Sequence, residues 1–219
     1  MTDFSALREA MVDCQIRPSD VTKFPIIEAM LHVPREAFVP RDKRAVAYVG
    51  DHVPLGDGRV VLDPRVLAKM LDVVDIQPAE IVLDVACGLG YGTAVLARMA
   101  DFVVAVEEPG PMATEAQANL TAQGVDNAVV VEAPLADGAA KHGPYDAVIL
   151  EAGVEDIPAE LLDQIKEGGR ICAIFLTAGG ASGQCRIGRR IAGKIAWRDV
   201  FDATAPLLAG FEKKPEFSL

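Results

Sequence analysis

Residues 81 to 92 read Ile-Val-Leu-Asp-Val-Ala-Cys-Gly-Leu-Gly-Tyr-Gly, an apolar run that leads directly into alternating glycines. The apolar run predicts a buried strand, and the glycines predict a tight turn that opens a helix. Because glycine has no Cβ and adopts positive φ, backbone N–H groups of such a turn can approach a ligand closely, and the helix N-terminus adds a favourable dipole. The segment therefore indicates a nucleotide-sized binding site.

Apolar strand-like runs alternate with helical stretches after residue 65. This alternation predicts right-handed βαβ units and a mostly parallel, seven-stranded α/β sheet, with the last two strands forming an antiparallel edge. Gly168-Gly169 is expected to end the last helix. The strand candidates are 81–85, 102–106, 128–131, 146–150, 171–176, 184–191 and 194–201, and the helix candidates are 66–75, 91–100, 111–123 and 158–167.

The N-terminal part has a different pattern. Apolar residues recur at helical spacing over 4–14 and 24–31, and a proline follows each run. Between 41 and 64 this periodicity is lost and glycine and proline recur, which is typical of a long functional loop. We expect residues 1–64 to form a helical extension with a substrate loop, and residues 65–219 to form one compact core.

Composition and charge exclude several functional classes. The 219 residues are 51% apolar and carry a net charge of −11, which opposes binding to nucleic acid. The four cysteines are widely spaced and form no CxxC motif, so neither a metal site nor a disulfide framework is predicted. No apolar run is long enough to span a membrane or act as an export signal. We expect a cytoplasmic protein with reduced thiols that binds neither membranes nor nucleic acid.

The glycine turn differs from a dinucleotide fingerprint. Thr93 stands where the third glycine or alanine of G-x-G-x-x-G belongs. Glu107 lies 17 residues beyond Gly90, at the end of the second strand candidate, where a carboxylate can accept both hydroxyl hydrogens of a ribose. Together with Asp84, these features resemble motif I and its acidic partner in class I S-adenosylmethionine-dependent methyltransferases, which implies a Rossmann-like fold.

A wider resemblance covers about residues 10 to 175. Six segments follow the protein-L-isoaspartate O-methyltransferase family in order and spacing. They are Met11–Arg17, Ile27–Pro40, Tyr48–Pro64, Pro144–Ile149, Ile157–Leu162 and Lys166–Ile171.

The resemblance implies methyl transfer from S-adenosylmethionine to the free carboxylate of isoaspartyl residues, with S-adenosylhomocysteine as the product and protein repair as the role. A carboxylate is ionised at pH 7 and needs no general base, so alignment of the reactants and exclusion of water supply the catalysis. The acceptor is a protein, a peptide or a small molecule, and no oligomeric state is predicted. The implied cofactor residues are Asp84, Ala86, Cys87, Gly88, Gly90, Tyr91, Glu107, Glu108, Glu132, Ala133 and Glu151.

The substrate loop departs from the family pattern. Where members usually carry Gly-Gln-Thr-Ile-Ser-Gln-Pro, this chain has Gly58-Arg-Val-Val-Leu-Asp-Pro64. Val60 and Leu62 thus replace both hydroxyl residues at the predicted catalytic positions. Asp63 replaces a glutamine there: it either caps the following helix or repels a carboxylate substrate, unless Arg59 or Arg65 neutralises it.

The cofactor side departs as well. Ala86 replaces the first turn glycine and is expected to adopt negative φ. Glu132-Ala133 lacks the aspartate expected near the adenine, and Glu151 adds a carboxylate that favours a cationic or neutral acceptor. Three functions stay open: an active isoaspartyl methyltransferase, a methyltransferase redirected to another acceptor, and a non-catalytic protein that binds S-adenosylmethionine.

Overall fold

The computed structural model describes residues 2–108, 110–177 and 182–213, and its N-terminal part is helical as predicted. Asp3 caps the first helix by accepting a hydrogen bond from the Ala6 N–H at 3.1 Å, and Pro34 follows the end of the second. The loop before the core contains a small antiparallel hairpin. These elements are α1 (Phe4–Met11), α2 (Phe24–His32), β1 (Val53–Gly56) and β2 (Arg59–Val61), with a wide helical turn over Val12–Ile16.

The core is an α/β sheet of seven strands in the order β5-β4-β3-β6-β7-β8-β9. The pairs from β5 to β7 are parallel, and β8 and β9 form the predicted antiparallel edge. The strands are β3 (Ile81–Val85), β4 (Phe102–Glu107), β5 (Ala128–Glu132), β6 (Tyr145–Val154), β7 (Ile165–Leu176), β8 (Gly183–Ile191) and β9 (Lys194–Asp202). The helices are α3 (Pro64–Val74), α4 (Tyr91–Ala97), α5 (Pro111–Ala122) and α6 (Ala159–Leu162).

Apolar layers cover both faces of the sheet. Successive residues of β3 point to opposite faces, so Val82 belongs to one layer and Leu83 to the other. Met11 and Met30 of the N-terminal helices are buried in the same layer as Leu67 of α3. The N-terminal extension therefore packs on one face of the sheet and delivers the β1–β2 hairpin to its edge. The expected boundary between residues 64 and 65 stays a prediction.

The prediction of a helix over 158–167 is wrong in its second half. The helix ends at Leu162 and β7 begins at Ile165, so Gly168-Gly169 lies inside a strand instead of ending a helix. Gly168 has φ +79°, and a Cβ on Gly169 would lie 3.0 Å from the Asp146 carbonyl oxygen. The glycines are needed where the register between β6 and β7 shifts and the two backbones approach closely.

None of the helices within residues 2–108, 110–177 and 182–213 combines the length and apolar character that a bilayer crossing requires. The same residues contain no cluster of three His, Cys, Asp or Glu side chains arranged to hold a metal ion.

Candidate active site

Four acidic residues lie along one edge of the sheet. Asp84 is on β3, Glu107 ends β4, Glu132 ends β5 and Glu151 is on β6. The carboxyl ends of parallel strands meet at the same edge, and the strand order reverses between β3 and β6. Open α/β sheets bind their ligands at this reversal point. The fold thus brings the acidic residues predicted from the sequence to the edge where a ligand is expected.

The glycine turn has the left-handed backbone that its sequence predicts. Gly88 and Gly90 have φ values of +57° and +94°. The prediction of negative φ at Ala86 is wrong, because its φ is +63°. The cause is that the Ala86 and Cys87 N–H groups both donate to the Val106 carbonyl oxygen, at 3.0 and 3.3 Å, which fixes the turn against β4. Alanine bears a steric cost of roughly 1 kcal/mol in this conformation.

The Glu107 carboxylate is buried and accepts three hydrogen bonds from donors of the chain itself. Oε2 accepts a hydrogen bond from the Gly88 N–H at 2.8 Å, and Oε1 accepts from the Glu108 N–H at 3.0 Å. Oε1 also accepts from Arg59 Nε at 3.0 Å, and Arg59 Nη2 donates to Glu108 at 3.0 Å. Glu107 is 2% exposed and Arg59 is 5% exposed. The β1–β2 hairpin therefore places a cation directly on the predicted ribose carboxylate.

A cavity of about 350 Å³ opens beside this ion pair. Leu55 of the hairpin lies over the glycine turn, since a Cβ built on Gly88 would lie 2.6 Å from Leu55 Cδ1. The cavity thus continues away from the turn along β4 and the start of α5. Its lining includes Pro40, Leu55, Asp57, Arg59, Leu89, Glu107, Glu108 and Met112.

Asp84 and Glu151 form a buried carboxyl pair at the centre of the edge. Asp84 Oδ2 accepts a hydrogen bond from Thr93 Oγ1 at 2.6 Å. Burial raises the pKa of Asp84 to about 6, and burial together with the Asp84 carboxylate raises the pKa of Glu151 well above its ordinary value. Two adjacent buried carboxylates cannot both ionise, so the proton of the pair is held on Glu151, whose pKa is raised further.

Gly92 gives the Glu151 side chain its space. A Cβ built on Gly92 would overlap Glu151 Oε1 and lie 2.5 Å from Glu151 Cδ. Gly92 is in the first turn of α4 and does not have positive φ, so the glycine is required here by a close approach and not by backbone conformation. The absence of a side chain at residue 92 is what allows a carboxyl group at residue 151.

An arginine is buried beneath the site. Arg35 Nε donates to the Ala47 carbonyl oxygen at 2.6 Å, Nη2 donates to the Leu62 carbonyl oxygen at 2.7 Å, and the guanidinium lies 4.7 Å from the Tyr91 ring centroid. Arg35 Nη1 and the Tyr91 hydroxyl have no well-formed hydrogen bond to any described residue. Both groups are buried, so the chain leaves two polar atoms available beside the acidic edge.

The substrate-loop positions lie in different environments. Val60 and Leu62 are 8% and 0% exposed and belong to the apolar layer that contains α3. Asp63 caps α3, because its Oδ1 accepts a hydrogen bond from the Arg65 N–H at 2.7 Å. His52 Nδ1 accepts from the Asp63 N–H at 2.9 Å, and the opposite ring nitrogen contacts the Thr204 carbonyl oxygen. The interpretation of Asp63 as a helix cap is confirmed.

The other predicted cofactor residues differ in how far they are exposed near the turn. Cys87 is buried, and burial raises the pKa of its thiol well above the ordinary value. Glu108 is 55% exposed, and the Glu132 side chain is exposed beyond Glu107. Ala133 contributes its backbone, since its N–H donates to the Glu107 carbonyl oxygen at 3.1 Å.

Sequence reasoning missed Arg35 and Gly92, and it named Arg59 and Arg65 as alternative cations for Asp63. In the structure Arg59 pairs with Glu107 instead, and Arg65 Nη2 lies 3.9 Å from Asp63. The local sequence of Arg35 and of Gly92 does not distinguish them from a surface arginine and an ordinary turn glycine. The sequence signal for Arg59 is its position next to the altered loop residues.

Comparison with known proteins places the chain within a family. The sequence model of protein-L-isoaspartate(D-aspartate) O-methyltransferases matches residues 6–182. Protein-L-isoaspartate O-methyltransferase 1 of Rhodopseudomonas palustris is 37% identical over 170 residues, which are 78% of this chain and 69% of the relative. Protein-L-isoaspartate O-methyltransferase 2 of Marinobacter nauticus is 36% identical over 178 residues, 81% of each chain.

Solved structures support the same fold. A structure named protein-L-isoaspartate O-methyltransferase superposes with a TM-score of 0.81 at 22% identity, covering 93% of this chain and 66% of its own. A protein from Plasmodium falciparum assigned the same activity, crystallised with S-adenosyl-L-homocysteine, gives a TM-score of 0.77 at 18% identity and covers 95% and 99%. The Rossmann-like methyltransferase fold is thereby confirmed, and the chain belongs to the protein-L-isoaspartate(D-aspartate) O-methyltransferase family.

Proposed function

We propose that this chain is an S-adenosylmethionine-dependent methyltransferase that methylates the carboxylate of isoaspartyl residues in proteins or peptides. The proposal is supported by its family membership and by relatives that carry this name. The observation that carries the cofactor assignment is the buried Glu107 carboxylate at the end of β4, joined by a hydrogen bond to the glycine turn. In this proposal residues 1–64 supply the substrate loop and residues 65–219 supply the cofactor edge.

The residues present fit S-adenosylmethionine if Arg59 leaves Glu107. A carboxylate at this strand end accepts both hydroxyls of a ribose, and the left-handed glycines leave space at the turn. The cavity beside Glu107 extends the site toward the start of α5. We assign cofactor binding to Asp84, Ala86, Cys87, Gly88, Gly90, Tyr91, Glu107, Glu108, Glu132, Ala133 and Glu151.

S-adenosylmethionine supplies an electrophilic methyl group on a sulfonium. The protein's part is to align an acceptor carboxylate with that group and to exclude water, because a carboxylate attacks without prior deprotonation. The buried acidic edge stabilises a cationic ligand by Coulomb attraction in a region of low dielectric constant. Asp84 supplies this charge, since the proton of the carboxyl pair is held on Glu151.

Isothermal titration with S-adenosylmethionine and S-adenosylhomocysteine tests the cofactor site. Glu107→Gln should weaken binding at least about tenfold, since it removes the charged acceptor for the ribose hydroxyls. Glu160→Gln, at an exposed position on α6, is the matched control and should bind like the wild-type protein. If the wild-type protein binds neither ligand, the assignment of the cofactor is wrong.

Transfer of a labelled methyl group to an isoaspartyl peptide tests the acceptor. The same peptide with an ordinary aspartyl residue is the control, because the two differ only in which carboxylate is free. The proposal requires selective methylation of the isoaspartyl isomer. Equal transfer to both isomers, or to neither, would contradict it, and cofactor binding without transfer would favour a non-catalytic binding protein.

The Asp84–Glu151 pair favours a second candidate, a methyltransferase redirected to a neutral or cationic acceptor. Two carboxyl groups that share one proton can accept a proton from a hydroxyl or amine nucleophile, whereas an isoaspartyl carboxylate needs no base. The side chains of Val60 and Leu62 offer no hydrogen bond to an anionic substrate. Methylation of small amines or alcohols that is lost in Glu151→Gln, with no transfer to the isoaspartyl peptide, would establish this alternative.

A further inference from the structure

The Arg59 guanidinium lies on the carboxylate to which we assign the ribose. Its Nε donates to Glu107 and its Nη2 donates to Glu108, both at 3.0 Å, and 95% of the side chain is removed from solvent. The Glu108 N–H takes the second acceptor direction of Oε1, and the Gly88 N–H takes one of the two on Oε2. A ribose diol that hydrogen-bonds to both oxygens of this carboxylate must therefore displace Arg59 from Oε1.

Displacement leaves the guanidinium with Glu108 as a carboxylate partner but takes the acceptor away from Nε. A buried donor without an acceptor costs about 1–3 kcal/mol, so Nε must find a new acceptor in the cleft or move into water. The rest of its loop cannot serve an anionic substrate. Val60 and Leu62 are buried in the apolar layer, and Asp63 is negative and occupied as a helix cap. Arg65 is 59% exposed, and its Nη2 lies 3.9 Å from Asp63 Oδ2, which neutralises its charge.

We propose that Arg59 is a positioning residue with two alternative partners. It binds Glu107 when the cofactor is absent, and it binds the acceptor carboxylate once the cofactor ribose has taken Glu107. This inference rests on the proposed function. Glu108 still holds Nη2 in the second state, which leaves Nε to bind one acceptor oxygen while the other oxygen faces the methyl group.

The exchange makes binding of the two substrates ordered and mutually favourable. Without cofactor, Arg59 is neutralised by Glu107 and the cleft presents a surplus of carboxylates that repels an anionic acceptor. With cofactor bound, the released cation becomes the attractive site. The charge of Arg59 thus takes the role of the two hydroxyl groups that the loop lacks. Because Arg59 is released only when the cofactor binds, the affinity for the acceptor depends on whether the cofactor is bound.

The test is Arg59→Gln, which keeps an amide donor and removes the charge. Titration of the protein alone with S-adenosylhomocysteine should give binding about threefold to thirtyfold tighter than wild type, because the ligand no longer displaces an ion pair. With S-adenosylmethionine present, the KM for the isoaspartyl peptide should rise about tenfold or more, with a smaller change in kcat. Arg65→Gln, the exposed neighbour, is the matched control and should change neither quantity.

The two opposite effects separate this proposal from a merely structural role. If Arg59 only fastens the hairpin, Arg59→Gln will bind S-adenosylhomocysteine as well as the wild-type protein or more weakly, and that result overturns the proposal. A wild-type protein that does not bind S-adenosylhomocysteine overturns it as well. If Arg59→Gln binds S-adenosylhomocysteine more tightly but its KM for the peptide is unchanged, Arg59 does not bind the acceptor carboxylate. The titration measures binding and needs no methyl transfer. If isoaspartyl methylation is absent, the proposed function is refuted, but the titration still tests whether the cofactor displaces Arg59. Arg59→Lys keeps a positive charge and should give values between those of the wild-type protein and Arg59→Gln in both measurements. It replaces the glutamine variant as the test if that variant fails to fold.

Discussion

Adding one methyl group at residue 92 should destabilise the protein for a reason specific to residue 151. Alanine in the first turn of a helix is ordinarily favoured over glycine by about 0.5–1 kcal/mol. Here the new Cβ would overlap Glu151 Oε1, so the buried carboxyl group must leave Asp84. Forcing this buried polar group into a new position without hydrogen-bond partners costs about 1–3 kcal/mol, and overpacking adds about 1–3 kcal/mol. We expect Gly92→Ala to lower the free energy of unfolding by about 3 kcal/mol.

Gly92→Ala should have the opposite effect on the free energy of unfolding when the Glu151 side chain is shortened. In a Glu151→Ala background the overlapping oxygen is gone, and Gly92→Ala should stabilise by about 0.5–1 kcal/mol through helix propensity alone. The coupling free energy between the two positions is then about 3–4 kcal/mol, large for a pair of substitutions. Urea denaturation of the four proteins, followed by circular dichroism, measures it. An equal effect of Gly92→Ala in both backgrounds would refute the assignment of this space to the carboxyl group.

Three further outcomes are expected from urea denaturation. Ala86→Gly should stabilise by about 1 kcal/mol, because glycine adopts left-handed φ without alanine's steric cost; a loss of stability would contradict the conformation described. Asp63→Ala should cost about 1 kcal/mol and Asp63→Asn much less, since both Asp and Asn cap a helix; equal losses would argue against the cap. Glu151→Gln should become progressively more stable than wild type as pH rises above about 4.5, by at most about 1.4 kcal/mol per pH unit, because the wild-type protein must keep a proton there that its unfolded chain releases. A difference independent of pH would show that Glu151 holds no proton.

The sheet was predictable because its strands carry their own signals. Continuous apolar runs such as Ile81–Val85 mark buried parallel strands, and the glycine turn identifies the carboxyl edge where a ligand binds. The spacing of Glu107 from that turn located the buried carboxylate. These features follow from local sequence and from chain connectivity, which is why pattern and spacing were sufficient.

The contacts within the site could not be predicted, because they join distant parts of the chain. Arg59 and Glu107 are 48 positions apart, and nothing local to either residue selects the other. The overlap between Gly92 and Glu151 likewise depends on how α4 is placed over β6. The φ of Ala86 was predicted wrongly because hydrogen bonds to Val106 on a neighbouring strand impose a left-handed conformation, against the preference of alanine itself.

The buried Arg35 fixes both ends of the segment that carries Arg59. Its guanidinium holds the carbonyl groups of Ala47 and Leu62, and the β1–β2 hairpin lies between these two points. When Arg59 leaves Glu107, these two points of the segment therefore stay fixed to the same buried guanidinium. Amide protons within Val53–Gly56 should exchange with solvent through local opening, whereas those of the buried helices should exchange only through global unfolding. Arg35 thus keeps both ends of the substrate loop in place while Arg59 exchanges partners.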